Sequence, residues 1–368
     1  MSRHWRVDTL RGYFLVIMTI AHLPANPLRR FTSYTFGYAS APDGFVFLSG
    51  LVCAWVYLRD RHKNGPEAVR VRARRRARDI YLVHILLLSL GIVAAALAKD
   101  SSFQAIHPFQ TFVRGSLLLY QPRMSDILPM YCIFLLFTPF VLGQMVEGRA
   151  WVIGIISAAL WTAAKCGVGD ASSKLIPWIQ VGAFNILAWQ AYFVCGQYFG
   201  YRTLQGGKIP RSRILLAVCI GLSLLFFLDR HSEFFFGIKA LLKFNPGPDS
   251  NPARFLDAAA LGYIIWWIPG SIDQALTKLR LFRFVNELGR HSLQVFAFSL
   301  FIAFGATVFS RNWDLQPTAL KVLLVGMVVL SLGIPARLHQ MYRDRRAPQD
   351  AGVVRYSKVL QGQAVNLL

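Results

Sequence analysis

The chain has 368 residues, of which 55% are hydrophobic and only 16% charged, with 28 Phe and nine Trp. That composition excludes a disordered chain, a coiled coil and a collagen-like fibre. Apolar runs of about 20 residues argue against a soluble enzyme as well. The 40 Lys and Arg against 18 Asp and Glu leave a net charge of +22. In a soluble protein that excess would suggest nucleic acid. In so apolar a chain it points instead to a lipid bilayer, with basic residues gathered in cytoplasmic loops and no nucleic-acid partner.

The first apolar stretch begins only after Arg11 and is interrupted by His22, so it does not read as a cleavable signal peptide. Apolar runs predict ten transmembrane helices, near 11–28, 43–58, 79–98, 125–146, 150–167, 184–201, 213–229, 255–275, 291–309 and 318–336. The expected fold is therefore all-α and polytopic. The aromatic stretch 31–43 after the first span is too short to cross and reads as a re-entrant segment, and 107–122 could enter the membrane in the same way. No repeat or low-complexity linker divides the chain. One integral-membrane domain over 1–340 is expected, followed by a basic cytoplasmic tail over 341–368.

Orientation follows from the basic residues. With the N-terminus inside, the cytoplasmic segments 1–11, 59–78, 147–150, 201–213, 276–290 and 337–368 carry 27 of the 40 Lys and Arg, which places both termini in the cytoplasm. The densest run, ending at Arg78, includes Arg70, Arg72, Arg74, Arg75 and Arg76. It serves topology and anionic head groups, and equally suits a phosphate-rich cytoplasmic cosubstrate.

Polar groups within a span are costly and mark function. Arg11 and His22 lie eleven residues apart, three helical turns plus about 20°, so both project from one face about 16 Å apart along the axis. Asp8 is placed to pair with Arg11, and Thr19 lies one turn before His22. An arginine at the mouth can grip a phosphate or carboxylate with two prongs, and a histidine in the membrane can take and return a proton. The bland alternative is an arginine reaching the head groups and a histidine bonded to a neighbouring helix.

Arg11 and His22 at this spacing resemble the signature of the integral-membrane acyltransferase superfamily. Phe45-Val46-Phe47-Leu48-Ser49-Gly50, with Asp43 before it, looks like a second motif of that group, and Arg74 to Tyr81 with His84 like a third. The chain most resembles the OpgC-type branch, through Asp8 to Gly12, His22 to Asn26, Phe36-Gly37-Tyr38, Phe45 to Gly50, Asp126 to Tyr131, Phe184 to Gln190 and Gly289 to Phe296. Ser40 and Pro42-Asp43-Gly44 depart from the acidic pattern of the family. The branch is associated with succinylation of osmoregulated periplasmic glucans at the bacterial inner membrane. The resemblance implies an acyltransferase that takes an acyl group from cytoplasmic acyl-CoA, succinyl-CoA by branch, and delivers it to a periplasmic glycan hydroxyl. No tightly bound cofactor is expected.

On that reading Arg11, Asp8, Asp43 and His22 are the candidate catalytic residues, with His22 as base or as acyl carrier. Arg74, Arg75, Arg78 and Arg290 are candidates for the CoA phosphates, and Ser49, Asp126, Asn185, Gln190 and His291 for binding substrate. Each also has a structural reading: Asp43 and Asp126 as helix caps, Asn185 and Gln190 as interhelical bonds. Ser292 beside His291 lacks a nucleophile elbow, and adjacent helical residues point about 100° apart. His84, His107, His231 and His339 read as scattered, with no metal spacing, and the five cysteines as small buried hydrophobes. Acetyl transfer to another surface glycan, a proton-coupled transporter, and a flippase or structural subunit remain alternatives. The sequence does not state an oligomeric state.

Overall fold

The computed structural model describes residues 5–32, 36–98, 108–119, 126–168, 184–231, 251–309 and 316–345, and among these all regular structure is helical. Helix α1, Trp5–His22, begins six residues before the expected span, because the polar turn carrying Arg6, Asp8 and Arg11 is itself helical. It stops at His22, where Leu23-Pro24 disfavours further helix, and Ala25 turns the chain at φ 45°. A 3₁₀ turn, Pro27–Phe31, follows.

Two expected spans and the loop between them form one helical element, α2, Ala41–Ala98. At about 1.5 Å per residue its 58 residues greatly exceed one bilayer, and the element is broken at Gly65, whose φ of 82° and ψ of 175° are non-helical. The expected loop 59–78 is thus corrected to helix. Its basic half is amphipathic: Val69, Ala73, Ala77 and Ile80 are buried at helical spacing, while Arg70, Arg72, Arg74, Arg75 and Arg78 are exposed. Average polarity hid that apolar stripe.

The remaining helices are α3 (Pro108–Ser116), α4 (Ile127–Val146), α5 (Ala150–Lys165), α6 (Ile186–Leu204), α7 (Arg213–His231) and α8 (Pro252–Trp267). After them come α9 (Gly270–Thr277), α10 (Arg280–Arg290), α11 (Ser292–Val308) and α12 (Thr318–Ser331), the last continuing as helix from 333 to 345. The expected span 255–275 is bent by 80° at Ile268-Pro269, and α10 meets α11 at 95° around His291. Helix α3 occupies part of the expected segment 107–122. Residues 33–35 of the segment 31–43, residues 107 and 120–122 of the segment 107–122, and the tail beyond 345 lie outside the described residues.

Among the described residues, four helices are long and apolar enough to cross a membrane, or six if each bent pair is one span. By length and apolarity, the described residues thus support four to six of the ten expected spans. The others are the two expected spans merged in α2 and counted once, α5, which at 16 residues is short, and α1 and α6, which are shielded by protein. Only Tyr13 of α1 is exposed, and α6 buries Trp189, Gln190, Tyr192, Phe193 and Gln197. Helices enclosed by neighbours can carry charges and amides that a lipid-facing helix cannot. The outer helices are the reverse: Leu136, Phe137 and Phe140 of α4, Trp151 and Ile155 of α5, and Ile214 and Leu224 of α7 are all exposed. A surface this apolar belongs in lipid rather than water.

Two close crossings hold the centre. A Cβ on Gly12 of α1 would sit 1.8 Å from the Val285 carbonyl oxygen, and one on Gly289 of α10 would sit 1.8 Å from that of Asp8. Between α2 and α6, Gly50 and Gly196 allow the same approach, at 2.1 Å from the Phe193 oxygen and 2.0 Å from the Phe47 oxygen. Small residues at both faces let backbones touch, which is how helices pack without a hydrophobic driving force.

Candidate active site

Helices α1, α2 and α11 converge on Arg11. Its Nη2 donates to Ser292 Oγ at 2.6 Å, and its guanidinium lies 5.6 Å from the centre of the Phe45 ring. The α1–α10 glycine crossing sits one residue beyond Arg11. Asn286 of α10 seals it, donating to the Trp5 carbonyl at 2.9 Å and to Thr9 Oγ1 at 3.0 Å. Beside this crossing lies a cavity of about 270 Å³ whose lining includes Trp5, Arg283, Asn286, Glu287, Arg290 and His291. His291, 1% exposed, forms a 2.7 Å Nδ1 to Nδ1 hydrogen bond with His339, so one of the two rings carries the proton between them. His339 is therefore not scattered, as expected, but paired.

His22 ends the same face of α1, about 16 Å from Arg11 by helical rise. Its Nδ1 is buried and has no hydrogen-bond partner. Thr19 is engaged on α1 itself, its hydroxyl donating to the Leu15 carbonyl at 2.7 Å. The side chain of Asn26 donates to the Ile20 carbonyl at 2.6 Å and accepts from the Leu28 amide at 2.9 Å, which fixes the turn after His22. The positive charge of exposed Arg29 acts on the imidazole.

Asp43 is 1% exposed and is held by Arg254 of α8, whose Nε lies 3.0 Å from each carboxylate oxygen. Asp43 also accepts from the Ser40 amide at 2.7 Å and the Ser40 hydroxyl at 2.9 Å. Asp43 is therefore not the expected cap residue: it is the third residue of α2 and its carboxylate reaches back to Ser40, the residue before the helix. The partner that the structure supplies to Asp43 is Arg254.

Other expected residues are placed as follows. Ser49 lies beside Tyr131, whose hydroxyl donates to the Phe45 carbonyl at 3.4 Å. Asp126 is 2% exposed at the start of α4 and makes no side-chain capping bond, so its expected cap is corrected. Asn185 caps α6, accepting from the Leu187 amide at 3.0 Å. The Gln190 amide accepts from Ser157 Oγ and donates to the Ser157 carbonyl, both at 2.8 Å, and so joins α5 to α6. Arg74, Arg75 and Arg78 face outward, and Arg290 is exposed beside the cavity. Asp8 lends its backbone to the α1–α10 crossing, and Arg6 of α1 pairs with Asp273 of α9 at 2.7 Å. Cys53, Cys132 and Cys219 are buried as expected, but Cys166 is exposed.

Sequence reasoning missed several groups. Arg76 is the half-buried member of the basic run, and its charge acts on Cys53, Tyr57 and His339. Arg254, Asp229 and Asp257 are each at most 5% exposed. Their signal was present in the sequence, as ionisable residues within or against apolar runs. Ser292 carried no signal of its own, since only folding brings it to Arg11.

A family profile described as OpgC protein matches residues 3–343. The chain belongs to the OpgC family. Family membership covers nearly the whole length and points to a membrane acyltransferase acting on glucans. The Arg11, Ser292 and His22 geometry lies inside the matched region. No curated protein sequence and no solved structure matches the chain.

Proposed function

We propose that this OpgC protein is an inner-membrane O-acyltransferase that moves a succinyl group from cytoplasmic succinyl-CoA to hydroxyls of a periplasmic glucan. The observation that carries the reading is helix α1. It presents Arg11, fixed by Ser292, at one end of a face and His22, with a buried and unpartnered Nδ1, at the other. The CoA phosphates are received at the Arg11 end, by Arg283 and Arg290 beside the cavity and by the basic run of α2. The thioester arm extends along α1 toward His22, where the acceptor arrives from the opposite side.

A sugar hydroxyl attacks weakly until a base removes its proton, a contribution of about 10²–10⁴ in rate. His22 takes that proton as the hydroxyl oxygen bonds to the thioester carbonyl carbon. The carbon–sulfur bond then breaks, and the departing thiolate takes the proton from the imidazolium. Atoms and charge balance with the ester and CoA thiol as products. Mass spectrometry of periplasmic glucans from matched strains with and without the gene tests this. A succinyl mass increment that requires the intact gene is expected. An acetyl increment instead would replace the donor, and loss of glucan outside without any increment would favour a transporter.

A further inference from the structure

At the end of the bundle where α1 stops and α2 starts, segment 36–40 lies across a buried polar cluster drawn from four helices. Tyr38 ties it together: its hydroxyl hydrogen-bonds Asp229 of α7, and its amide donates to Asp257 Oδ2 of α8 at 2.7 Å. The Ala39 amide donates to the same oxygen at 2.9 Å. Gly37, at φ 126°, lets the strap pass so close that a Cβ there would lie 2.6 Å from that oxygen. One turn before Asp257 on α8, Arg254 holds Asp43 and stacks 5.0 Å from the centre of the Trp189 ring of α6.

Three side chains of this cluster are fully buried, at 0% exposure, yet each has a polar atom without a partner: Asp229 Oδ1, Asp257 Oδ1 and Trp189 Nε1. Leaving such atoms unpaired is unfavourable, more so when they are charged. Carboxylate oxygens only accept and the indole nitrogen only donates. An anion could serve the indole but not the carboxylates. A set of neighbouring hydroxyls, each donor and acceptor, serves all three. The buried charges reinforce the choice, since Asp43, Asp229 and Asp257 are buried with one buried Lys or Arg among the described residues, Arg254, while Arg230, whose charge acts on Tyr38, is exposed.

We propose that the cluster of Asp229, Asp257 and Trp189 around Arg254 binds the hydroxyls of a neutral sugar acceptor. This rests on the acyl-transfer reading above and gives its acceptor a place. Entry requires segment 36–40 to lift, and the three hydrogen bonds from Tyr38 and Ala39 are its ties to the two carboxylates. An acceptor that gains a succinyl carboxylate is less welcome among the same acids, so the site favours substrate over product.

The test uses the full chain in detergent and a panel of neutral glucohexaoses differing in linkage, titrated by calorimetry without acyl donor. At least one hexaose binds the wild type. Asp229→Asn and Asp257→Asn each weaken it about tenfold, and Trp189→Phe several-fold. The bound hexaose also slows hydrogen exchange in 36–40 and 251–257, a readout independent of any variant's stability. Absence of binding by every hexaose overturns the proposal, as does unchanged exchange in those segments or full affinity in folded Asp229→Asn and Trp189→Phe. Acyl transfer is measured separately by glucan mass, so loss of one reading leaves the other standing.

Discussion

Arg254 and Asp43, 211 residues apart, form an ion pair that is almost wholly buried, with Nε 3.0 Å from both carboxylate oxygens. The pair clamps α8 onto the first turn of α2. Its worth lies less in net attraction than in the penalty for breaking it, because removing one partner strands the other charge in a medium that cannot solvate it.

Arg254→Ala or Asp43→Ala is therefore expected to destabilise the protein by about 3–5 kcal/mol, while Arg254→Met combined with Asp43→Leu loses much less. Thermal unfolding of the detergent-solubilised protein, single variants against the double, reads this directly. Equal losses in single and double variants would show that the two side chains act independently.

His22→Ala and Arg11→Ala are each expected to abolish the glucan mass increment while the protein remains in the membrane. Ser292→Ala removes one charge-assisted bond to Arg11 and should weaken use of the acyl donor about tenfold, with Arg11 still present. The readout is KM for succinyl-CoA in a thiol-release assay. Persistence of the increment in His22→Ala contradicts its assigned role as base.

The α1–α10 crossing has no room for a methyl group. Gly289→Ala and Gly12→Ala each put a Cβ against a backbone carbonyl oxygen, and are expected to destabilise by several kcal/mol. Gly154→Ala of α5 is the control: nothing lies within 4 Å of its added Cβ, and replacing an interior helical glycine gains up to about 1 kcal/mol. Melting temperatures of the three variants should separate in that order.

Orientation is checked from opposite sides. A thiol at Arg74→Cys, on the exposed face of the basic half of α2, should react with a membrane-impermeant maleimide only from the cytoplasm. The native Cys166, exposed just after α5, should react only from the periplasm. Labelling of both from one side would reverse or break the topology inferred from the basic residues.

Much of this was legible in the residues. The apolar runs placed α4, α5, α6, α7 and α11 within a few positions, but α10 lay in the expected cytoplasmic segment 276–290, α8 and α9 were read as one span, and the helix that begins with α12 runs on to 345. The Arg11 to His22 stripe was legible because both groups lie on one helix, where spacing alone fixes the face. The basic half of α2 was misread as a loop, since an amphipathic helix with a narrow apolar stripe averages to polar. Asn185 and Gln190 were read as either structural or sugar-binding, and only their partners, the Leu187 amide and Ser157, show how they are engaged.

The sequence by itself determined an all-helical membrane chain of the OpgC family and one helix with a cation and an imidazole in line, because composition and helical periodicity are local properties. The tertiary structure decided which distant groups meet them. Arg11 finds Ser292, Asp43 finds Arg254, and His291 finds His339, at separations of 281, 211 and 48 residues. No periodicity encodes such pairings, which arise only when helices cross at glycines and polar groups excluded from water must satisfy one another.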